Sequence, residues 1–306
     1  MLKTKKVLAI FITATIILFF TGCGNNIHKD TVKNSNSKIR VVVTFNALRE
    51  FAYAIGKDKI DIETLVPEGT EPHDFEPKVK DMRNISDSKV FIYNGFGMEN
   101  WVDKTLESID NKNLIVTNAS KGITPIKNGD SNEIKEHGQY DPHIWLSLKN
   151  AKIESKNIRD ALVKADPLNK SYYEKNFNDF SKKIDALYNS YNEKLKSVPN
   201  KSFVTGHAAF AYLCRDYGLE QRSIEDVFAS EEPSAKQLKL LTDYCRKNKI
   251  KTIFVEEMVS PKISETLASE VNAKVKKIYT IESKEDNKDY LQSMASNLDL
   301  IYNSLK

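Results

Sequence analysis

Five histidines occur in the 306 residues, and three of them share one kind of position. His73 lies in VPEGTEPHDFEP, just after the apolar pair Leu65-Val66. His143 lies in QYDPHIWLS, and His207 lies in FVTGHAAFAYL, directly after the apolar run that begins at Ser202. Imidazole is the commonest metal ligand, and a carboxylate adds a hard, charged donor. Glu282, in YTIES at the end of a further apolar run, offers such a donor. Three neutral imidazoles and one carboxylate around Zn²⁺ leave a net charge of +1, which neighbouring acids can neutralise. Gaps of 70 residues between His73 and His143 and 64 between His143 and His207 exclude a finger-like local site. They fit a site assembled from distant loops. Taken singly, each histidine also reads as an ordinary turn or core residue, and spacing alone leaves both readings open.

The elements that must position these residues are short β-branched runs: Ile39-Phe45, Ile60-Val66, Val90-Tyr93, Leu114-Val116, Ser202-Thr205, Thr252-Val255 and Lys274-Tyr279. Helix-period stretches such as Lys236 to Cys245 and Ile263 to Val271 alternate with them. Alternation of this kind predicts parallel sheets covered on both faces, hence an α/β fold. In open α/β sheets ligands gather at the carboxyl ends of strands, where these histidines fall. A longer helical pattern opens at Asp166-Pro167 and runs to about Ser197. Phe177, Phe180, Ile184, Leu187, Tyr188, Tyr191 and Leu195 keep a three-or-four spacing along it. Lying between two α/β halves, it reads as their connector, which predicts limited lobe motion. The organisation expected is 1–22 signal, 23–38 flexible tether, 39–165 first lobe, 166–198 connecting helix and 199–306 second lobe.

The N-terminus supplies the address. Lys3, Lys5 and Lys6 precede an uncharged run from Val7 to Phe20, then Thr21-Gly22-Cys23. This is the layout of a secretory signal, too short for a membrane span of about 20 residues. Cys23 after a small residue points to a bacterial lipoprotein signal, with lipid on Cys23 and the folded part outside the cytoplasmic membrane. Phe20 stands where such signals usually carry leucine, so a plain secretory signal is the alternative. Gly24 to Lys38, polar and rich in asparagine and serine, is the tether. The formal charge of +4 belongs mostly to the signal, because without its three lysines 43 basic face 42 acidic side chains. A chain so balanced lacks the basic footprint of nucleic-acid binding. Cys214 and Cys245 sit in helix-like apolar patterns and read as buried free thiols.

The segments GTEPHDFEP, YDPHIWLS, TGHAAFAYL and IFVEE resemble those of the metal-binding lipoproteins that serve ABC-type zinc and manganese importers. The similarity runs from about Ile39 to the end, with the motifs in order. It implies two similar α/β lobes joined by one backbone helix, with metal in the cleft between them. It also implies His73, His143 and His207 as ligands. Zinc-preferring members carry histidine at the position of His207, and manganese-preferring members carry glutamate. Nitrogen-rich sites suit zinc and oxygen-rich sites suit manganese. Many members have aspartate in the last loop; Glu282 is the nearest carboxylate here and matches the glutamate of some zinc members, with water the alternative. Glu71 ranks second, because Pro72 restricts its approach. Asp141 and Glu256 are candidates to receive the outer N–H of a ligating imidazole, although Glu256 equally reads as a helix cap. Trp145 and Phe210 read as walls of the cleft. His137 lies where zinc-preferring relatives often carry a histidine-rich loop.

The function implied is a monomeric, lipid-anchored extracytoplasmic receptor that hands Zn²⁺ to a membrane permease, with Mn²⁺ as the alternative cargo. Its affinity should fall below about pH 6, where ordinary imidazoles gain protons. An enzyme, specifically a secreted zinc hydrolase, is the contrasting reading. It lacks an HExxH helix and a clearly placed general base, and Glu282 would close the position that catalytic water needs. An organic-ligand receptor would use arginine, yet none of Arg40, Arg49, Arg83, Arg159, Arg215, Arg222 and Arg246 lies in the histidine motifs. Adhesion to host surfaces has been attached to relatives of this kind, and nothing in the sequence encodes it.

Overall fold

Val41, Val42 and Val43 of the first strand are wholly buried, which only a strand covered on both faces allows. The protein is seen in a computed structural model that describes residues 38–128, 139–227, 233–257 and 260–306. Signal, tether, Cys23 and His137 lie outside the described residues. The first sheet holds β1 (Ile39–Val43), β2 (Ile60–Thr64), β3 (Val90–Tyr93) and β4 (Ile115–Asn118) in the order β2-β1-β3-β4, with every pair parallel. The second holds β5 (Ser202–Thr205), β6 (Glu220–Ser223), β7 (Thr252–Val255) and β8 (Lys274–Lys277) in the order β6-β5-β7-β8, again parallel. The two sheets repeat one topology, so the fold is two-lobed α/β, as expected. In each sheet the strand that opens the lobe is central, and chain order reverses beside it. That is where an open parallel sheet presents its ligand crevice.

The helices follow from the apolar periods. They are α1 (Asn46–Gly56), α2 (Val79–Ser86), α3 (Val102–Glu107), α4 (Leu148–Ala165), α5 (Lys170–Ser197), α6 (Ala211–Tyr217), α7 (Ala235–Lys247), α8 (Pro261–Val271) and α9 (Tyr290–Ser304). The connector is α5, preceded by a tight 3-10 turn at Pro167–Asn169. Its 28 residues make a rod about 42 Å long at 1.5 Å per residue. It packs against α1 and α4 of the first lobe and α6 and α9 of the second. One apolar core accordingly runs through both lobes. It joins Phe45, Phe51 and Trp145 to Phe180 and Ile184 of α5, to Tyr290 and Leu298 of α9, and to Phe203 and Phe254 of the second sheet.

Two expectations change at the second sheet. β6 has no apolar run to announce it: its residues are Glu-Gln-Arg-Ser, and it forms by pairing with β5 at an edge. The segment Lys274-Tyr279, expected as a buried strand, is extended only from Lys274 to Lys277, where it is exposed, while Ile278 and Tyr279 beyond the strand are buried. Its three lysines sit on the opposite edge, where charge blocks pairing with another chain. Cys214 and Cys245 are buried free thiols, as expected. No helix of the described residues is long and apolar enough to cross a membrane.

Candidate metal centre

Each candidate ligand sits on a segment that local sequence forces to turn. After β2, Gly69 adopts φ +75° and Pro72 opens a 3-10 turn, Pro72–Asp74, that presents His73 with its side chain 1% exposed. His143 follows Pro142, after which the 3-10 turn Ile144–Leu146 leads to Ser147, whose hydroxyl accepts from Asn150 N–H to cap α4. His207 follows β5 in a turn rather than on a helix, since α6 starts only at Ala211. Its carbonyl oxygen accepts from Thr205 Oγ1 at 2.6 Å and from Gln221 Nε2 at 2.9 Å. Glu282 comes five residues after β8 ends, next to Ile281, which adopts the left-handed φ of +65°. His143, His207 and Glu282 are all buried.

The four side chains meet at the imidazole of His143. Its Nε2 lies 3.2 Å from His73 Nε2, 3.4 Å from His207 Nε2 and 3.6 Å from Glu282 Oε1. Ligand atoms about 2.0–2.1 Å from a tetrahedral zinc ion stand about 3.3–3.4 Å from one another. The three distances from His143 Nε2 are therefore those of tetrahedron edges, and they bring together residues as far apart in the sequence as 73 and 282. His73, His143 and Glu282 form a mutually close set, with His207 adjoining it at His143. The carboxylate atom that faces His143, Glu282 Oε1, is buried and has no hydrogen-bond donor, and neither has Glu71 Oε1. Orphaned acceptors beside convergent imidazoles fit a cation, since burying them otherwise carries an uncompensated desolvation cost.

Asp141 holds His143 in register. Its Oδ1 accepts both the backbone N–H and Nδ1–H of His143, each at 2.9 Å. One proton is thereby held on Nδ1, so that when His143 is neutral it is the Nε2 lone pair that faces the cluster. Tyr212 of the TGHAAFAYL segment supports the arrangement by donating its hydroxyl proton to Asp141 O at 2.7 Å. Below, Asn94 Nδ2 donates to Pro142 O at 2.9 Å. Glu256 accepts the backbone N–H of His207 at 3.4 Å, and its Oε1 is 3.7 Å from His207 Nδ1. Glu71 stands closer than its proline neighbour suggests. The 3-10 turn brings Glu71 Oε1 to 3.6 Å from His73 Nε2. Trp145 and Phe210 are fully buried core residues.

Charge in the cluster is divided by position. Burial works against a proton on His143, but Asp141 and Glu282 outweigh it and lift the imidazole to about 10. Burial, and then the charge on His143, push His207 down to about 4. Burial favours the neutral acid at Glu282 too, yet the surrounding imidazoles hold it below the usual carboxylate range. Burial lifts Glu256 to about 8, and burial with the Glu282 charge lifts Glu71 to about 9. Before metal binds, the cluster is a cationic His143 facing the Glu282 carboxylate, with His207, Glu256 and Glu71 neutral around them. A divalent cation would displace the proton on His143.

Three residues support the site through contacts that the sequence did not show. Asn46, at the start of α1, donates its backbone N–H to Glu282 O at 3.2 Å. Trp145 donates its indole N–H to Thr280 O at 2.6 Å. Glu99, buried beneath this layer, accepts from Thr44 Oγ1 at 2.6 Å and from the Asn94 and Gly95 N–H groups at 2.8 and 3.0 Å. Of these, only Trp145 lies within a motif that could have pointed to it.

Known proteins share both the sequence and the shape. The high-affinity zinc uptake system protein ZnuA of Bacillus subtilis (strain 168) is 39% identical over 314 residues, covering 98% of each chain. Among solved structures, the laminin binding protein (Lmb) of Streptococcus agalactiae, described as bifunctional with adhesin and metal transporting activity, superposes with a TM-score of 0.81. It shares 33% identity over 88% of this chain and 100% of that one. Zn(II)-bound AdcA from Streptococcus pneumoniae gives a TM-score of 0.76 at 35% identity, over 88% of this chain and 58% of the longer AdcA. Residues 41–304 match the family described as the zinc-uptake complex component A, periplasmic (ZnuA), and the chain belongs to that family.

Proposed function

We propose that the protein is the extracytoplasmic receptor of an ABC-type importer, capturing Zn²⁺ with His73, His143, His207 and Glu282 and handing it to a membrane permease. The observation that carries this reading is the convergence of three ligand atoms on His143 Nε2 at 3.2, 3.4 and 3.6 Å. Three nitrogens with one carboxylate oxygen favour zinc over manganese as cargo. Asp141 orients the His143 ring, and Glu256 holds the backbone N–H of His207. With Glu282 closing the fourth position, the ion has no open site for an attacking water, so the protein binds and releases rather than catalyses. We assign residues 1–22 to an export signal, Cys23 to a lipid anchor and residues 23–38 to a tether. The described residues then act as a monomer with lobes 39–165 and 199–306 joined by residues 166–198.

Metal analysis with competition titration of the chain lacking residues 1–23 tests the reading. One zinc per chain is expected, lost in His143→Ala and in His207→Ala. Stoichiometric manganese that zinc does not displace would overturn the choice of cargo.

A further inference from the structure

The segment that carries Glu282 changes its allegiance within one residue. Tyr279 still belongs to the second lobe: its N–H donates to Asn297 Oδ1 at 2.9 Å, and Asn297 Nδ2 donates to Tyr279 O at 2.7 Å, both from α9. From Thr280 onward, every backbone carbonyl through Ser283 is held by a donor of the first lobe. Trp145 Nε1 donates to Thr280 O at 2.6 Å. Asn46 Nδ2 donates to Ile281 O at 3.3 Å and to Ser283 O at 3.1 Å, and Asn46 N–H donates to Glu282 O at 3.2 Å. The Ser283 hydroxyl accepts from Gly69 N–H, in the loop that leads to His73, at 2.9 Å. Three of these contacts come from Asn46 alone.

The same segment is strained. Ile281 is β-branched, 2% exposed and set at φ +65°. A β-branched residue in the left-handed region costs of order 1–3 kcal/mol and persists only where its surroundings over-determine it. The Asn46 side chain brackets that residue and Glu282, bonding the carbonyls on either side of the glutamate. Without its amide donors the two carbonyls would lose buried partners, and the backbone could relax toward φ below zero, turning Glu282 away.

We infer that Asn46 is the positioning residue of Glu282, locking a strained segment of the second lobe's chain onto the first lobe. Three donors, His73, His143 and Glu282, then move as one body, and His207 alone is presented by the other sheet. This rests on the zinc-site reading above and deepens it: opening the lobes breaks one metal bond, at His207, and leaves a three-donor half-site intact.

Substituting Co²⁺ for Zn²⁺ in the full chain makes the coordination visible, because a four-coordinate ion absorbs more strongly in the visible than one with added water. Asn46→Ala should weaken zinc binding about 10- to 100-fold, as loss of an outer support typically does. Its Co²⁺ spectrum should become that of Glu282→Gln. The double variant should bind no more weakly than Glu282→Gln alone, because a positioning residue acts only through the group it positions. Asn46→Asp, which keeps volume and backbone N–H but removes both amide donors, should behave like Asn46→Ala and serves if the alanine variant does not fold. A variant that lowers Tm while keeping wild-type spectrum and affinity would reduce Asn46 to a structural role, and additive losses in the double variant would do the same. If Glu282→Gln itself leaves spectrum and affinity unchanged, both the ligand set and the role of Asn46 fall.

Discussion

Burial alone would strip the proton from His143, and it is the two carboxylates at its edges that keep it there. Asp141 Oδ1 accepts a hydrogen bond from Nδ1–H at 2.9 Å and Glu282 Oε1 stands 3.6 Å from Nε2, lifting the imidazole to about 10. The sign for zinc follows directly. At neutral pH Nε2 carries a proton that the metal must displace, whereas His207, held near 4, is already neutral. Affinity should therefore keep rising with pH from about 6.5 toward 10, by about tenfold per unit for one displaced proton. This differs from the levelling near pH 6–7 expected of ordinary imidazoles. Calorimetry at pH 7.5 in buffers of different ionisation enthalpy should record release of about one proton or more per zinc; no release would contradict the charge division. Before metal binds, the raised His143 value contributes stability that is fully present below the unfolded value of about 6.5. That contribution is lost as pH climbs through about 10. Asp141→Asn keeps the shape but removes the charge, and should weaken zinc binding about 10- to 100-fold in competition titration. The three histidines were legible because each directly follows a turn-forming residue, Pro72, Pro142 or Gly206, in a motif with a recognisable resemblance. Asn46 was not, because its contacts reach residues 235 and 237 positions away that no local pattern announces.

At the scale of elements, the buried strands could be read from sequence because they are covered on both faces and so carry short apolar runs such as Val41-Val42-Val43 and Val90-Phe91-Ile92. The polar edges could not. β6 is a strand through its partner β5, and β8 is a strand whose lysines face water. If those lysines protect the edge, Lys274→Val with Lys276→Val should promote self-association, visible as concentration-dependent larger species in size-exclusion chromatography. The helix α5 was legible from its three-or-four spacing, and its buried side shows where its stability resides. Ile184 is 1% exposed in the shared core. Ile184→Ala should destabilise the protein by about 2–5 kcal/mol in denaturant unfolding, through lost burial and the cavity left behind.

For the molecule as a whole, the two-lobed plan was implied by alternating strands and helices, but the continuity of its core was not. Phe203 and Phe254 of the second sheet share one apolar cluster with Phe45 and Trp145 of the first lobe, stitched by α5 and α9. Separating the lobes widely would expose that cluster, so zinc should change the overall dimensions little. Small-angle scattering with and without zinc should give nearly the same radius of gyration, and a contraction of several ångströms would contradict the rigid connector. Stability should respond more than shape: free zinc at about 100 times Kd should add about 2.7 kcal/mol to unfolding, reversed by a chelator.

The separation of the ligands along the chain has a consequence for the life of the polypeptide. His73 and Glu282 lie near opposite ends of the described chain, and the loops between them meet only after both sheets and the crossing helix have formed. A ribosome-bound fragment, or a chain threaded unfolded through a translocation pore, carries all the histidines yet has no site, because scattered imidazoles do not gather an ion. Capture of metal is thus deferred until synthesis is complete and the last loop has docked. A chain exported unfolded would therefore carry no formed zinc site out of the compartment that made it.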